Sequence, residues 1–292
     1  MKPAQFSVLR IKSEDELCQV LAAHEGDARI LAGGQSLIPM MNFRIATPPI
    51  LLDITSIAEL KDIQVDDAWI VIGSLCPHAD IEDSLLLKAH CPLLPEAVTQ
   101  VAHRAIRNKG TIGGSLALCY PSAELPLALI LLDAIIELRS IRGSREVAAQ
   151  DFLLGMLETA IATDEYIRTI RIPRDTNSWQ SGFNEVTRRH GDFAISAAAV
   201  RLKIALDGSI LDARIGISGG LACPQRLLSV EHFCQGKTVN KVNLEQSISD
   251  ALSRCEIFGD SQYPTAYRKK LLTTSVTKAF AEARERRHQN VR

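Results

Sequence analysis

Apolar positions in this chain come in short blocks whose spacing predicts a mixed set of helices and strands. Ser13-Glu-Asp-Glu16 has the spacing of a capping box, and Leu17, Val20, Leu21 and Ala22 follow at helical intervals until Gly26. Ala28–Ala32 reads as a buried strand ending in a glycine pair, and Ile50–Thr55 as a second strand after Pro48-Pro49. Trp69–Leu75 is strand-like, and helices are expected over about 79–90 and 94–107. Residues 134–141 and 145–149 form an expected hairpin around Arg142-Gly143-Ser144, and Glu165–Ile172 a strand closed by Pro173. Asp175–Gly182 is polar and turn-rich, and is expected to separate two domains. The first spans 1–175, in parts of about 1–56 and 57–175, and the second spans 178–288. In the second, Ala197–Leu206 and Ile210–Ser218 pair around Asp207-Gly208, a two-residue hairpin signal. Helices then follow at about Gln225–Gln235, Leu244–Arg254 and Pro264–Arg287.

Composition narrows the function classes. The 292 residues are 46% hydrophobic and 23% charged, ordinary for a globular chain, and the net charge is −1. Neither nucleic acid nor an anionic membrane surface is an expected partner, and an aromatic share of 5% leaves little for base stacking. The apolar run Leu125–Ile136 is broken by Pro126 and Asp133 and is too short to span a bilayer. The first residues lack the apolar core of a signal peptide, so a cytoplasmic location is expected. Cysteines 18, 76, 91, 119, 223, 234 and 255 show no Cys-x-x-Cys spacing, so they read as reduced, buried thiols. No iron–sulfur cluster or structural metal is expected on this chain.

The candidate chemistry lies in two glycine pairs, Leu31-Ala-Gly-Gly-Gln-Ser-Leu37 and Thr111-Ile-Gly-Gly-Ser-Leu-Ala117. Each is expected to be a strand-end turn bare of side chains, where main-chain N–H groups form a concave donor array for phosphate. Two such loops together suit the pyrophosphate of a dinucleotide. A tight turn also needs glycine without any ligand, so both readings stand on the residues alone. Gly219-Gly220 reads as a plain turn, and neither loop fits Gly-x-Gly-x-x-Gly or the Walker pattern. On the ligand reading, valine at Gly33 or Gly113 would stand where phosphate approaches. His78, His90 and His103 share no ligand spacing and read as helix-surface residues. Arg188 and Arg189 read as surface ion pairs or as a steering charge for an anionic cofactor or substrate, and Arg284 to Arg287 as a solvated helix face or a partner contact.

Four stretches in order carry a family resemblance: Ile30–Leu37, Ile106–Ser115, Pro121–Pro126 and Glu185–Ala194. The set resembles the medium, FAD-binding subunit of the molybdenum hydroxylases, the family of carbon monoxide, xanthine and N-heterocycle dehydrogenases. The resemblance implies an α+β fold: a vanillyl-alcohol-oxidase-type FAD-binding domain of two α+β subdomains, plus a small C-terminal domain of a three-stranded sheet and helical bundle. It implies FAD held by Ile30, Leu31, Ala32, Gly33, Gly34, Gln35, Ser36 and Leu37, and by Gly110, Thr111, Gly113, Gly114 and Ser115. Ala102, Ile106 and Ala123 would join the site, Glu124 would contact the adenosine ribose, and Ile167 would pack near the isoalloxazine.

By the same resemblance, a small subunit with [2Fe-2S] clusters and a large molybdopterin subunit would be partners, in a dimer of heterotrimers. Electrons would run from the clusters to FAD and on to NAD or another acceptor. Substrate, expected to be N-heteroaromatic in class, would be oxidised on the large subunit. No catalytic acid, base or metal ligand is expected on this chain. Ser115 stands where many members have Asn, Glu124 where Asp is usual, and Asn184-Glu185 where some have Lys, which leaves the roles of Glu185 and His190 open. The alternative readings are a free-standing flavin oxidoreductase of the same fold and an assembly subunit without cofactor.

Overall fold

The computed structural model describes residues 2–24, 26–174 and 179–286. A three-stranded parallel sheet opens the chain: β1 (Ser7–Arg10), β2 (Ala28–Leu31) and β3 (Ile50–Asp53), in the order β1-β3-β2. Helix Glu14–His24 packs on it through Leu17, Cys18 and Leu21. Ser13 Oγ accepts the Glu16 N–H at 3.2 Å, while the Glu16 carboxylate reaches one residue further back than a capping box requires, to the Lys12 N–H at 2.7 Å. β1 has no counterpart in the expected elements. All four of its residues are exposed, so it carries no period-two signal, and its pairing is main-chain only.

The second sheet contains β4 (Ile63–Val65), β5 (Trp69–Gly73), β6 (Ile135–Ser140) and β7 (Gly143–Ala148). A small β8 (Leu153–Gly155) and β9 (Glu158–Thr159) pair apart from it, and β10 (Tyr166–Pro173) completes it in the order β4-β5-β10-β6-β7. Ile70, Ile72, Ile136, Leu138, Ile170 and Ile172 share one core with helix Glu124–Leu131. All eight residues of that helix are buried, which is why it shows no amphipathic period. The helix expected over 79–90 breaks into His78–Asp83 and Leu85–His90, with Ser84 Oγ capping the second by accepting the Leu87 N–H. That expected over 94–107 breaks into Leu93–Gln100 and Arg104–Arg107, the chain turning at Ala102 with φ +43°.

β11 (Trp179–Val186), β12 (Ser196–Ile204), β13 (Ile210–Ser218) and β14 (Gln225–Arg226) form the third sheet, antiparallel throughout. It has four strands where three were expected, because Gln225-Arg226 pairs with β13 before helix Leu228–Cys234 begins. Helices Glu245–Ser253 and Thr265–Arg286 also cover it. Of the turn-rich stretch 175–182, Asp175–Ser178 lie outside the described residues, as does Arg287. Trp179–Gly182 are strand rather than turn. Trp179 instead lies under the Arg201 and Arg214 guanidiniums at 4.6 and 5.2 Å. One face of this sheet packs on its own helices. Phe183, Ala197 and Ala199 join the core beneath helix Glu124–Leu131. No helix among the described residues is long and apolar enough to cross a membrane.

Glu14 pins the first sheet to the second. Its Oε2 accepts from Tyr166 Oη at 2.6 Å and from Arg168 Nε at 2.8 Å, and Arg139 lies 3.2 Å away. Burial works against the charge, yet the hydrogen bonds from Arg168 and Tyr166 hold this carboxyl below its ordinary value of 4.5. A lowered folded value means that the stabilisation is complete above the ordinary value and is lost as pH falls through the folded one. Glu14→Gln is therefore expected to cost about 1–3 kcal/mol at pH 7. In thermal melts the gap to wild type should close in acid, and a pH-independent gap would refute the ionic account.

Candidate functional site

A cavity of about 930 Å³ lies between the first two sheets and is closed on one side by the loop before β12. Its walls include Ile30, the first glycine loop from Ala32 to Leu37, and Gly110, Thr111, Gly113, Gly114 and Ser115. Ala102, Ile106, Ala123, Glu124 and Ile167 also line it. Leu31 alone of the expected residues does not; its side chain lies under Gly34, where an added Cβ would meet Leu31 Cδ1 at 3.3 Å. Ile167 sits beside a break in the register of β10 with β6, and such an irregularity re-aims side chains.

The two loops abut, and the bare sides of their first glycines face protein. A Cβ on Gly33 would stand 2.7 Å from the Lys109 carbonyl carbon and 2.9 Å from Gly110 Cα. One on Gly113 would stand 2.6 Å from Ser74 Cβ and 2.7 Å from Ser74 O. These glycines therefore let backbone meet backbone, a correction to the expectation that their missing side chains leave room for phosphate. The second pair is also no strand-end turn. It opens helix Ile112–Leu118, with Thr111 as N-cap.

The loops differ in what their amides do. The N–H groups of Gly33 through Leu37 find no hydrogen-bond acceptor among the described residues. Gly34 bends that run with φ +71°, and the Ser36 hydroxyl caps nothing in the following helix Leu37–Asn42. In the second loop Ile112 N–H donates to Cys76 O at 3.1 Å, Gly113 N–H to Ser74 O at 2.9 Å and Gly114 N–H to Thr111 Oγ1 at 3.1 Å. Only Thr111 N–H of the second loop lacks an acceptor among the described residues, so the donor array lies mainly on the first loop.

His78, which reads from sequence as a surface residue, is 4% exposed and lines the cavity. Burial pushes its ring down to about 4, against the pull of the Thr111 carbonyl, so the imidazole is neutral at pH 7. Burial likewise pushes Glu124 up to about 7. Glu185 is pushed up to about 8 by burial and then by Glu124. Glu185 and His190 do not line the cavity. Gly191, Asp192 and Phe193 do, and Phe193 lies against Tyr120 with ring centroids 4.1 Å apart. Nothing in the sequence marks Tyr120 or His78, since their roles depend on loops brought together from distant positions.

Other expectations shift as well. Arg188 and Arg189 are exposed and form no ion pair among the described residues. Arg286, still 38% exposed, grips Glu96 at 2.5 and 2.6 Å and the Ser181 carbonyl at 2.7 Å. No disulfide joins any of the seven cysteines, and burial pushes Cys76 and Cys234 up to about 12, as expected of unreactive thiols.

Residues 4–175 match the family described as the FAD binding domain in molybdopterin dehydrogenase, and 181–283 match the CO dehydrogenase flavoprotein C-terminal domain. The chain belongs to this flavoprotein family. It is 33% identical to the 6-hydroxypseudooxynicotine dehydrogenase complex subunit alpha of Paenarthrobacter nicotinovorans, over 98% of this chain and 97% of that one. It is 35% identical to the caffeine dehydrogenase subunit beta of Pseudomonas sp. (strain CBB1), with the same coverage of both. Reconstituted CO dehydrogenase from Oligotropha carboxidovorans superposes with a TM-score of 0.94 at 32% identity, over 98% of this chain and 100% of that one. The chain is thus an FAD-dependent oxidoreductase subunit of the molybdenum hydroxylase type. The flavoprotein's cavity fits its cofactor in size, being within the roughly 300–1,000 Å³ usual for such sites. A row of unpaired amides also fits a doubly charged diphosphate.

Proposed function

We propose that the chain holds FAD in this cavity, with the Gly33–Leu37 amides on the diphosphate and the Ser36 and Ser115 hydroxyls beside them. Five consecutive cavity-lining residues whose N–H groups have no acceptor among the described residues are the observation that carries this reading. Hydrogen bonds to an anion are charge-assisted, roughly 1.5–3 kcal/mol each, so the loop needs no lysine. Glu124 sits at the adenosine ribose. Burial raises its carboxyl to about 7, and in the protonated form it can donate to one hydroxyl and accept from another. Ile167 packs at the ring end of the site. Bound FAD supplies redox chemistry that accepts electrons singly or in pairs.

In the assembly we infer, a small [2Fe-2S] subunit feeds electrons to this chain from a large molybdopterin subunit, in a dimer of heterotrimers. The acceptor is NAD or another oxidant. The names of the two sequence relatives support an N-heteroaromatic substrate, oxidised on the large subunit. Seven cysteines without a disulfide suit a reducing compartment, the cytoplasm. The domain boundary we propose follows β10, at about residue 175.

The test is a titration of flavin-free protein with FAD, FMN and riboflavin. FAD is expected to bind at least 100-fold more tightly than riboflavin, about 2.7 kcal/mol. Equal affinities would remove the diphosphate from the site. Co-purification with iron- and molybdenum-bearing chains tests the assembly.

A further inference from the structure

With the Ile112, Gly113, Gly114 and Ser115 amides already engaged, the second glycine loop needs a side-chain donor as well to meet an anion. Ser115 Oγ is that donor, and the side chain beside it is His78, whose Nε2 lies 3.5 Å away. His78 is fixed through its main chain, where its N–H donates to Gly110 O at 2.8 Å. Its ring lies against Gly110, so that a Cβ there would be 3.1 Å from both Cε1 and Nδ1. Nδ1 is buried and has no hydrogen-bond partner. Such an orphan is uncommon in a folded interior and calls for a reason.

We propose that His78 is a positioning residue for the anionic cofactor, acting through Ser115; this rests on the FAD reading above. A neutral imidazole carries one proton; with no hydrogen-bond partner at Nδ1 it is placed on Nε2, where Ser115 Oγ competes with the Thr111 carbonyl to accept it. The hydroxyl oxygen accepts it, which leaves the hydroxyl's own hydrogen to point into the cavity. His78 thus turns Ser115 into a one-way donor toward the diphosphate. The ring's low pKa fits the role, because burial, with Arg107 adding to it, keeps the ring from becoming a diffuse counter-charge. A serine hydroxyl rotates about its C–O bond and needs a neighbouring partner to present its hydrogen in a set direction.

The experiment is FAD and riboflavin titration of the flavin-free chain for wild type, His78→Phe, His78→Gln, Ser115→Ala and the double variant His78→Phe/Ser115→Ala. His78→Phe and Ser115→Ala should each weaken FAD about tenfold, the size of one hydrogen bond. The double variant should bind no more weakly than Ser115→Ala, and His78→Gln, which keeps a side-chain N–H, should recover part of the loss. Riboflavin, lacking the diphosphate, should bind all five proteins alike. Additive losses, an unaffected His78→Phe, or an equal loss for riboflavin would overturn the proposal. Should His78→Phe fail to fold, Ser115→Ala and His78→Gln decide the matter by the same FAD-to-riboflavin ratio. A wild-type chain that ignores FAD would remove the cofactor reading itself, whereas wild-type binding with indifferent variants removes only the role of His78.

Discussion

Gly33→Val is expected to abolish tight FAD retention and also to lower the melting temperature of the flavin-free chain. The second effect separates the structural account from the one suggested by sequence. The added Cβ would stand 2.7 Å from the Lys109 carbonyl carbon, 2.9 Å from Gly110 Cα and closer still to the Lys109 oxygen. Those neighbours are backbone and cannot rotate aside, so the two loops must part. Overpacking of this kind costs about 1–3 kcal/mol, and valine's branching places it at the upper end. Parting the loops also moves the Gly33–Leu37 amides away from Ser115, so a fall in FAD affinity of at least 100-fold is expected. Melting without flavin and titration with FAD measure the two effects separately. Lost binding at undiminished apo stability would return the bare face of Gly33 to the ligand.

The glycine pairs show how far sequence could go. Their pairing with Ser and Thr marked two loops that line one cavity, because a close main-chain approach leaves a compositional mark; Ala102, Ile106, Ala123, Glu124 and Ile167 came from the family resemblance alone. What that approach served was not legible: small residues look the same beside a ligand or beside Ser74 and Lys109. Local signals read well where the physics is local. The Asp207-Gly208 hairpin, with Gly208 at φ +90°, and the Ser13 cap both lie where spacing predicts them. Edge strands read poorly. β1 is exposed at every residue and β11 is polar, since each gains its stability from pairing and from elements remote in sequence. The break at Ala102 was invisible for the same reason, since alanine favours helix and the turn is imposed by a side chain five residues on.

That side chain is Arg107, and Arg107→Ala is expected to destabilise the chain by about 3 kcal/mol, the low end for breaking a buried ion pair. Arg107 is 7% exposed. Its Nε and second terminal nitrogen hold both Glu82 oxygens, at 2.8 and 3.2 Å, while the other terminal nitrogen donates to the Val101 and Ala102 carbonyls, each at 2.9 Å. One guanidinium thus fastens helix His78–Asp83 to the end of helix Leu93–Gln100 and fixes Ala102 in its left-handed turn on the cavity wall. Arg104 remains to pair with Glu82 in the variant, which limits the loss. Lysine cannot reproduce the planar fork, so Arg107→Lys should recover less than half of the stability. Burial opposes the charge on Glu82, but the two arginines hold its carboxyl below the ordinary 4.5. Stabilisation by the pair is therefore complete above that value and fades as pH falls through the lower, folded one. Denaturant melts of wild type and Arg107→Ala should converge in acid. FAD affinity at pH 7 should fall with stability, because Ala102 no longer backs the loop at Gly191, whose added Cβ would lie 3.0 Å from the Ala102 carbonyl carbon. A variant that melts early yet binds FAD as tightly as wild type would show that Ala102 is fixed by its other neighbours.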